Sequence, residues 1–275
     1  MNKHNKIQTS VTQQYLGYCE TPTLWSNDSI YNLNQFKELK HKSDSSIFTK
    51  HHLPKRLGKR IEHFVFNDIN QDTELTLLAQ NLQIQHDKQT IGELDALLLV
   101  QNQPVHLEII YKFYLYDPLL GPQELNCWIG PNRNDSLIQK LNKLKNKQMP
   151  LLQHLQTQHY LNDLNLNVTA IRQQVLFKAQ LFLPETTDLW PNTLLNKACI
   201  VGTYFKKEHL LSLSHCQFYL PTKLEWIIGA HEYVSWLTSD LFFKELAICF
   251  NNKKSPLVWI KYPNQVLKRC FMVWW

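Results

Sequence analysis

Apolar positions between Gly92 and Lys112 gather into two short runs on either side of a polar turn. Ala96 to Val100 and Val105 to Tyr111 are continuous enough for strands covered on both faces. Gln101-Asn102-Gln103-Pro104 separates them at hairpin spacing. Upstream, Leu57, Ile61, Phe64 and Val65 line up as one stripe of a helix, with Pro54 just ahead of it. Asn81 to Gln85 alternates apolar and polar, which predicts a strand, and Asp87 to Thr90 reads as the turn after it. Downstream, Leu137, Leu141 and Leu144, widened by Ile138, form a second helical stripe, with Asn134 or Asp135 placed to cap it. Val175 to Leu183 is a further strand. The predicted order is α-β-β-β-α-β, an α/β fold in which a mixed sheet is flanked by helices.

The ends differ in texture. Residues 1–14, rich in Asn, Gln, Lys and Thr, read as a loose tail. Leu24, Ile30, Leu33, Phe36 and Leu39 have helical spacing and predict an N-terminal packing helix, and residues 40–50 form a polar connector. The last third crowds Trp226, Trp236, Trp259, Trp274 and Trp275 among Leu and Phe. Such aromatics can stack on bases, but core is the commoner use, and the terminal FMVWW is expected to dock on the body. The stretch from Pro184 to Pro191 is the expected boundary. The predicted organisation is therefore a tail and packing helix over 1–50, a core over 51–185, and an aromatic-rich C-terminal region over 186–275.

Composition excludes several functions. Seven glycines in 275 residues leave no phosphate-cradling loop, there is no GxSxG, and the histidines show no HExxH spacing. Six cysteines lack metal-ligand spacing, which predicts reduced thiols and a cytoplasmic protein. No apolar leader or long apolar run appears, so no membrane partner is expected. The net charge of +6 suits a polyanionic partner without demanding one.

The chemistry lies in the acids of the hairpin. Burying Asp95 or Glu108 among such apolar neighbours costs several kcal/mol unless a partner or a cation compensates. Pairing about the turn brings Asp95 and Glu108 near each other on adjacent strands, where a hard cation such as Mg²⁺ (or Mn²⁺) relieves their repulsion. Lys112 shares a strand face with Glu108 and can orient water or offset negative charge, and Glu62 on the preceding helix can add a third carboxylate. Simpler roles compete: a same-face Glu108–Lys112 pair on a half-exposed strand, and a boundary Glu62 paired with Lys59 or Arg60. His106 also shares the Glu108 face, as a ligand, a shuttle or, more simply, a partly exposed strand histidine. From Arg133 to Lys147 five basic residues face one acid. Arg133, Lys140 and Lys143 are thus candidates for phosphate contacts, against the alternative of a solvated helix face.

This order of elements, with Glu62 on the first helix, Asp95 ending GELD, and Glu108 and Lys112 on the next strand, resembles the PD-(D/E)XK nuclease superfamily. More closely, RLGKRIEHF, NLQIQ, GELDALL, HLEIIYKFYL and WIGPNRNDSLIQKLNKL resemble a bacterial family known as domain of unknown function 1853, most clearly over residues 50–185. The superfamily resemblance implies a restriction-endonuclease-like core and Mg²⁺-dependent hydrolysis of nucleic-acid phosphodiesters. Asp95 and Glu108 would hold the metal, Glu62 would support it, and Lys112 would serve the attacking water. One departure matters. The superfamily lysine follows the second acid by two residues, a position held here by Ile110, whereas Lys112 lies roughly 13 Å along an ideal strand. A bulge, a long reach, or Lys140 or Lys143 from the following helix would have to supply the charge. The same departure suits a degenerate nuclease-fold module that binds nucleic acid without cutting. A scaffold that uses its C-terminal aromatic surface on a partner protein is the third expectation.

Overall fold

The computed structural model describes residues 11–26, 29–41, 53–186 and 194–275. Helix α1 (Val11–Glu20) leads into a two-stranded hairpin, β1 (Ser29–Ile30) and β2 (Leu33–Asn34). Helix α2 (Leu57–Gln71) follows, then three long strands, β3 (Leu75–His86), β4 (Gln89–Val100) and β5 (Gln103–Tyr116). A short α3 (Glu124–Cys127) and β6 (Trp128–Ile129) precede α4 (Leu137–Lys143), which widens into a π-helical turn over Leu144–Gln148. Then come α5 (Leu155–Asp163), β7 (Arg172–Pro184), β8 (Ile200–Phe205), β9 (Gln217–Tyr219), α6 (Ser239–Asn251), β10 (Leu257–Lys261) and β11 (Leu267–Met272).

Among the described residues these strands build one nine-stranded mixed sheet in the order β3-β4-β5-β7-β8-β11-β10-β9, with β6 on β5. The β5–β7, β7–β8 and β8–β11 pairs are parallel and the rest antiparallel. The β4–β5 register is set at its turn. Gln101 and Asn102 both adopt positive φ, 49° and 68°, as a two-residue hairpin turn matching strand twist requires. Val100 then pairs with Gln103, and Ala96 stands opposite Leu107.

Helices cover both faces. Phe64, Val65 and Ile69 of α2 and Tyr15 and Tyr18 of α1 pack with Leu107, Phe113 and Phe271 of the sheet. On the other face, Leu137, Leu141 and Leu144 pack on Ile110, Tyr114, Phe177 and Leu181. The predicted leucine stripe is thus the buried face of α4. Ser136 caps that helix by accepting the Gln139 N–H at 3.3 Å, in place of the expected Asn134 or Asp135. Leu151 and Leu161 cover the projecting end of the β3–β4 ribbon, where Gly92 leaves the space that Leu151 fills.

Four expectations change. The described residues between 24 and 39 form no helix: Tyr31 and Asn32 take φ of 60° and 63° at the turn of the β1–β2 hairpin, and Leu24, Trp25, Ile30 and Leu33 fill the α4-side core. Short apolar runs satisfy either period, and burial decided here. Residues 11–14 belong to α1, with Gln14 buried, while residues 1–10 lie outside the described chain. The expected connector keeps only Lys40 and His41 within the described residues, paired with Glu74 at 2.7 Å and Asp68 at 2.8 Å. The strand expected over 81–85 runs the full length of β3, because its hairpin with β4 extends beyond the alternating core.

Of the boundary stretch, residues 187–191 lie outside the described chain. After it, β8 to β11 continue the same sheet. Trp226 and Trp259 are buried, and Trp275 packs on Tyr204 with its Nε1 donating to the Pro131 carbonyl at 3.0 Å. A buried cation ties α1 to the sheet: Lys178 Nζ donates to Tyr18 O at 3.0 Å, Thr21 O at 2.8 Å and His41 Nε2 at 3.1 Å. It thereby satisfies carbonyls at the C-terminal end of α1, where a positive charge is favoured.

Candidate functional site

The β4 and β5 strands stay paired from the turn only as far as Ala96–Leu107. Beyond that point β4 continues against β3, with Leu94 on Leu82, while β5 continues against β7, with Glu108 on Val175. Asp95 and Glu108 are the next opposed residues, at the place where the strands part. Asp95 Oδ2 takes the Ile109 N–H at 2.8 Å, replacing the strand partner lost there.

Glu108 is fully buried, and so is His106 two residues before it. His106 is therefore no half-exposed strand histidine: the parallel β5–β7 pairing and the 144–153 segment enclose it. Gln173 Nε2 donates to His106 Nδ1 at 3.0 Å and to the Met149 carbonyl at 2.6 Å. Nδ1 is then the acceptor, so Nε2 carries the proton and donates to Glu108 Oε1 at 3.3 Å. Gln148 Nε2 donates to Glu108 Oε2, and Lys140 Nζ donates to Gln148 Oε1 at 2.8 Å. Both paths of donors end on Glu108, one on each carboxylate oxygen.

Asp95 answers to different surroundings. Burial, then the neighbouring Glu108 charge, then Glu62, push its carboxyl up to about 7, against the pull of the Ile109 N–H and Lys140. Burial likewise lowers the Lys140 ammonium to about 8, helped by Lys143 and Lys112 and opposed by Glu108 and Asp95. The two carboxyls thus differ in surroundings: Glu108 accepts two side-chain hydrogen bonds, whereas burial and the acid beside it raise Asp95.

Of the residues expected from sequence, Asp95 and Glu108 meet, and Lys140 joins them through Gln148. Glu62 lies close enough for its charge to raise Asp95, while burial, and after it Glu93 and Glu108, raise Glu62 itself. Its carboxylate is nonetheless bound by Lys59 at 2.7 Å, and Lys59 also holds Glu93 at 2.8 Å. Lys112 shares the Glu108 face, but its ammonium sits on Asp135 at 2.5 Å. Gly130 makes that contact possible: it binds the Asp135 carbonyl through its N–H at 2.8 Å, and a β-carbon there would overlap the Asp135 carboxylate. Arg133 bonds Asp117 at 2.9 Å and stacks 4.3 Å from the Trp275 ring, whereas Lys143 is exposed.

Sequence reasoning passed over Gln148 and Gln173. Gln148 had a signal: it extends the Leu137, Leu141, Leu144 stripe by four residues, a polar side chain on an apolar face. Gln173 had none, because its role depends on the β5–β7 register.

The donor set bears on a cation. Among the described residues no group of three or more His, Cys, Asp and Glu side chains is placed to hold a metal ion. Two hard carboxylates do converge, and Mg²⁺ takes one or two carboxylates and fills its remaining positions with water or phosphate oxygens. The residues present fit that group: Asp95 and Glu108 would hold it.

Fold and site together define a mixed α/β protein, a large sheet between helices with buried Glu108 and half-buried Asp95 opposed where two central strands diverge. The chain belongs to the family described as domain of unknown function (DUF1853), whose profile matches residues 13–272. No curated protein and no solved structure matches it. No helix among the described residues is long and apolar enough to cross a membrane.

Proposed function

We propose that this chain is a Mg²⁺-dependent nuclease of restriction-endonuclease-like architecture that hydrolyses nucleic-acid phosphodiester bonds in the cytoplasm. One observation carries the proposal: Asp95 and Glu108 stand opposed at a strand divergence, with the Lys140 ammonium linked to Glu108 through a single amide. A bound Mg²⁺ (or Mn²⁺) would supply Lewis-acid stabilisation of the phosphoryl oxygens and lower the pKa of a bound water. Within the chain, Glu108 accepts from His106 and Gln148, one on each oxygen. Asp95, whose carboxyl burial and the Glu108 charge push up to about 7, would hold the cation from the facing strand. Lys140 offsets negative charge that grows on the phosphoryl oxygens, the part expected of Lys112. Glu62 closes the acidic side, with Lys59 as its counter-ion. Lys143 offers a phosphate contact at the exposed rim, beside Arg133 on the preceding loop. Free thiols at all six cysteines suit a reducing compartment.

A second reading has its own support, since the Lys112 ammonium is already bound by Asp135. A catalytically degenerate module on this fold would bind nucleic acid with salt-sensitive affinity and turn nothing over. Incubation of duplex DNA, single-stranded DNA and RNA with Mg²⁺ or Mn²⁺, wild type beside Asp95→Ala, separates the two. Cleavage that vanishes in the variant supports the nuclease; binding without cleavage by folded wild type supports the module.

A further inference from the structure

Glu108 does not stand alone in its strand. The groups around it form a continuous chain of donors, Gln173 to His106 to Glu108 from one side and Lys140 to Gln148 to Glu108 from the other. Three features of this chain are hard to explain as packing alone. His106 is fully enclosed, and both its ring nitrogens are used, which fixes its tautomer. Both amide hydrogens of Gln173 are committed, one to His106 and one to the Met149 carbonyl, so the ring cannot reorient without breaking backbone contacts. Gln148 closes the π-helical turn Leu144–Gln148, and from there its side chain donates to Glu108. Single π turns inside helices commonly mark functional positions for this reason.

We propose that His106, Gln148 and Gln173 are positioning residues that fix the Glu108 carboxylate for a divalent cation, and that Gln148 also sets the place of Lys140 relative to that carboxylate. The inference rests on the metal-dependent reading of the acid pair. Each Glu108 oxygen accepts one hydrogen bond and keeps a lone-pair direction for a cation. His106 and Gln148 then determine where those directions point. Outer partners of this kind orient a ligating carboxylate and raise affinity without touching the ion, and removing one characteristically weakens metal binding by about 10–100-fold. Gln148 does a second thing that His106 does not: its carbonyl accepts from the half-buried Lys140 ammonium.

The test is a calorimetric titration of Mn²⁺ into metal-free protein at pH 7.5, with thermal melting of each variant as the control for folding. The variants are Gln148→Leu, His106→Leu, the donor-retaining His106→Gln, and Glu108→Gln. Wild type binds Mn²⁺ and Glu108→Gln does not. Gln148→Leu and His106→Leu weaken the Kd by about 10–100-fold, and His106→Gln recovers most of the loss. A merely structural histidine would lower melting temperature in both His106 variants and leave Kd alone. If His106→Leu fails to fold, Gln148→Leu and His106→Gln still decide the matter. Wild-type binding with unchanged Kd in Gln148→Leu overturns the inference and leaves the proposed function standing. Wild type that binds no Mn²⁺ removes the proposed metal site, and the positioning role falls with it. The split between residues is also measurable: Gln148→Leu lowers kcat beyond what Mn²⁺ saturation restores, because Lys140 is released, whereas saturation restores His106→Leu.

Discussion

Asp95→Asn isolates the cost of the acid pair. Asn is close to isosteric with Asp, and its Oδ1 can still accept the Ile109 N–H now bound at 2.8 Å. What changes is charge. A carboxyl raised from 3.8 to about 7 on folding carries an energy of about 4 kcal/mol between the two limits. The sign follows from proton binding. Below about pH 4 folded and unfolded chains both hold the proton, and the cost is nil. Between there and about 7 the folded chain keeps a proton that the unfolded chain has released, so stability falls as pH rises. Above about 7 the whole penalty is present. Asp95→Asn is therefore expected to be more stable than wild type by about 4 kcal/mol at pH 8, and by about 1.5 kcal/mol at pH 5. Urea unfolding followed by tryptophan fluorescence, in chelator-containing buffer at both pH values, reads this directly. The chelator matters because a bound cation would reverse the sign. A variant destabilised equally at the two pH values would refute the reasoning and make Asp95 a structural hydrogen-bonding group with no charge cost.

Lys140→Met is expected to lower nuclease turnover by about 10²-fold or more, since it removes a preorganised positive charge, while Lys112→Met stays within about tenfold; equal losses in a gel-based cleavage assay would restore Lys112 to the site. Lys178→Met should lower stability by about 3 kcal/mol in chemical denaturation, because the Tyr18 and Thr21 carbonyls lose their donor inside the protein; a change below about 0.5 kcal/mol would mean that the carbonyls find other partners. Lys143→Ala should reduce the salt slope of nucleic-acid binding by about 1, whereas Arg133→Ala, whose guanidinium is held by Asp117 and Trp275, should chiefly lower the melting temperature.

Local pattern was enough to find the hairpin and to oppose its acids. Two apolar runs, a two-residue turn that Asn102 can enter at positive φ, and the strict alternation of strand side chains place Asp95 across from Glu108 before any tertiary contact is known. The α2 and α4 stripes were legible for the same reason, because a helix that buries one face must write that face into its sequence every three or four residues. Burial of a polar partner writes no such period. That His106 is enclosed follows from β7 lying beside β5 and from the 149–153 segment above it, and neither contact is local. Gln148 donates to Glu108 from the end of a π-helical turn, and Lys140 is linked to the pair through that amide, contacts between a helix and a strand that spacing does not reveal. Spacing along the strand pointed instead to Lys112, which the Gly130–Asp135 loop binds from outside the hairpin. The N-terminal hairpin was misread because five apolar residues at helical intervals also suit an extended chain wedged into a core. The sequence by itself determined the α2, β3 to β5, α4 and β7 elements and that two carboxylates face each other, since those depend on neighbours a few residues apart. Tertiary structure alone decided which lysine serves them, what holds Glu108 and how β8 to β11 extend the sheet, since each depends on pairing between segments tens of residues apart.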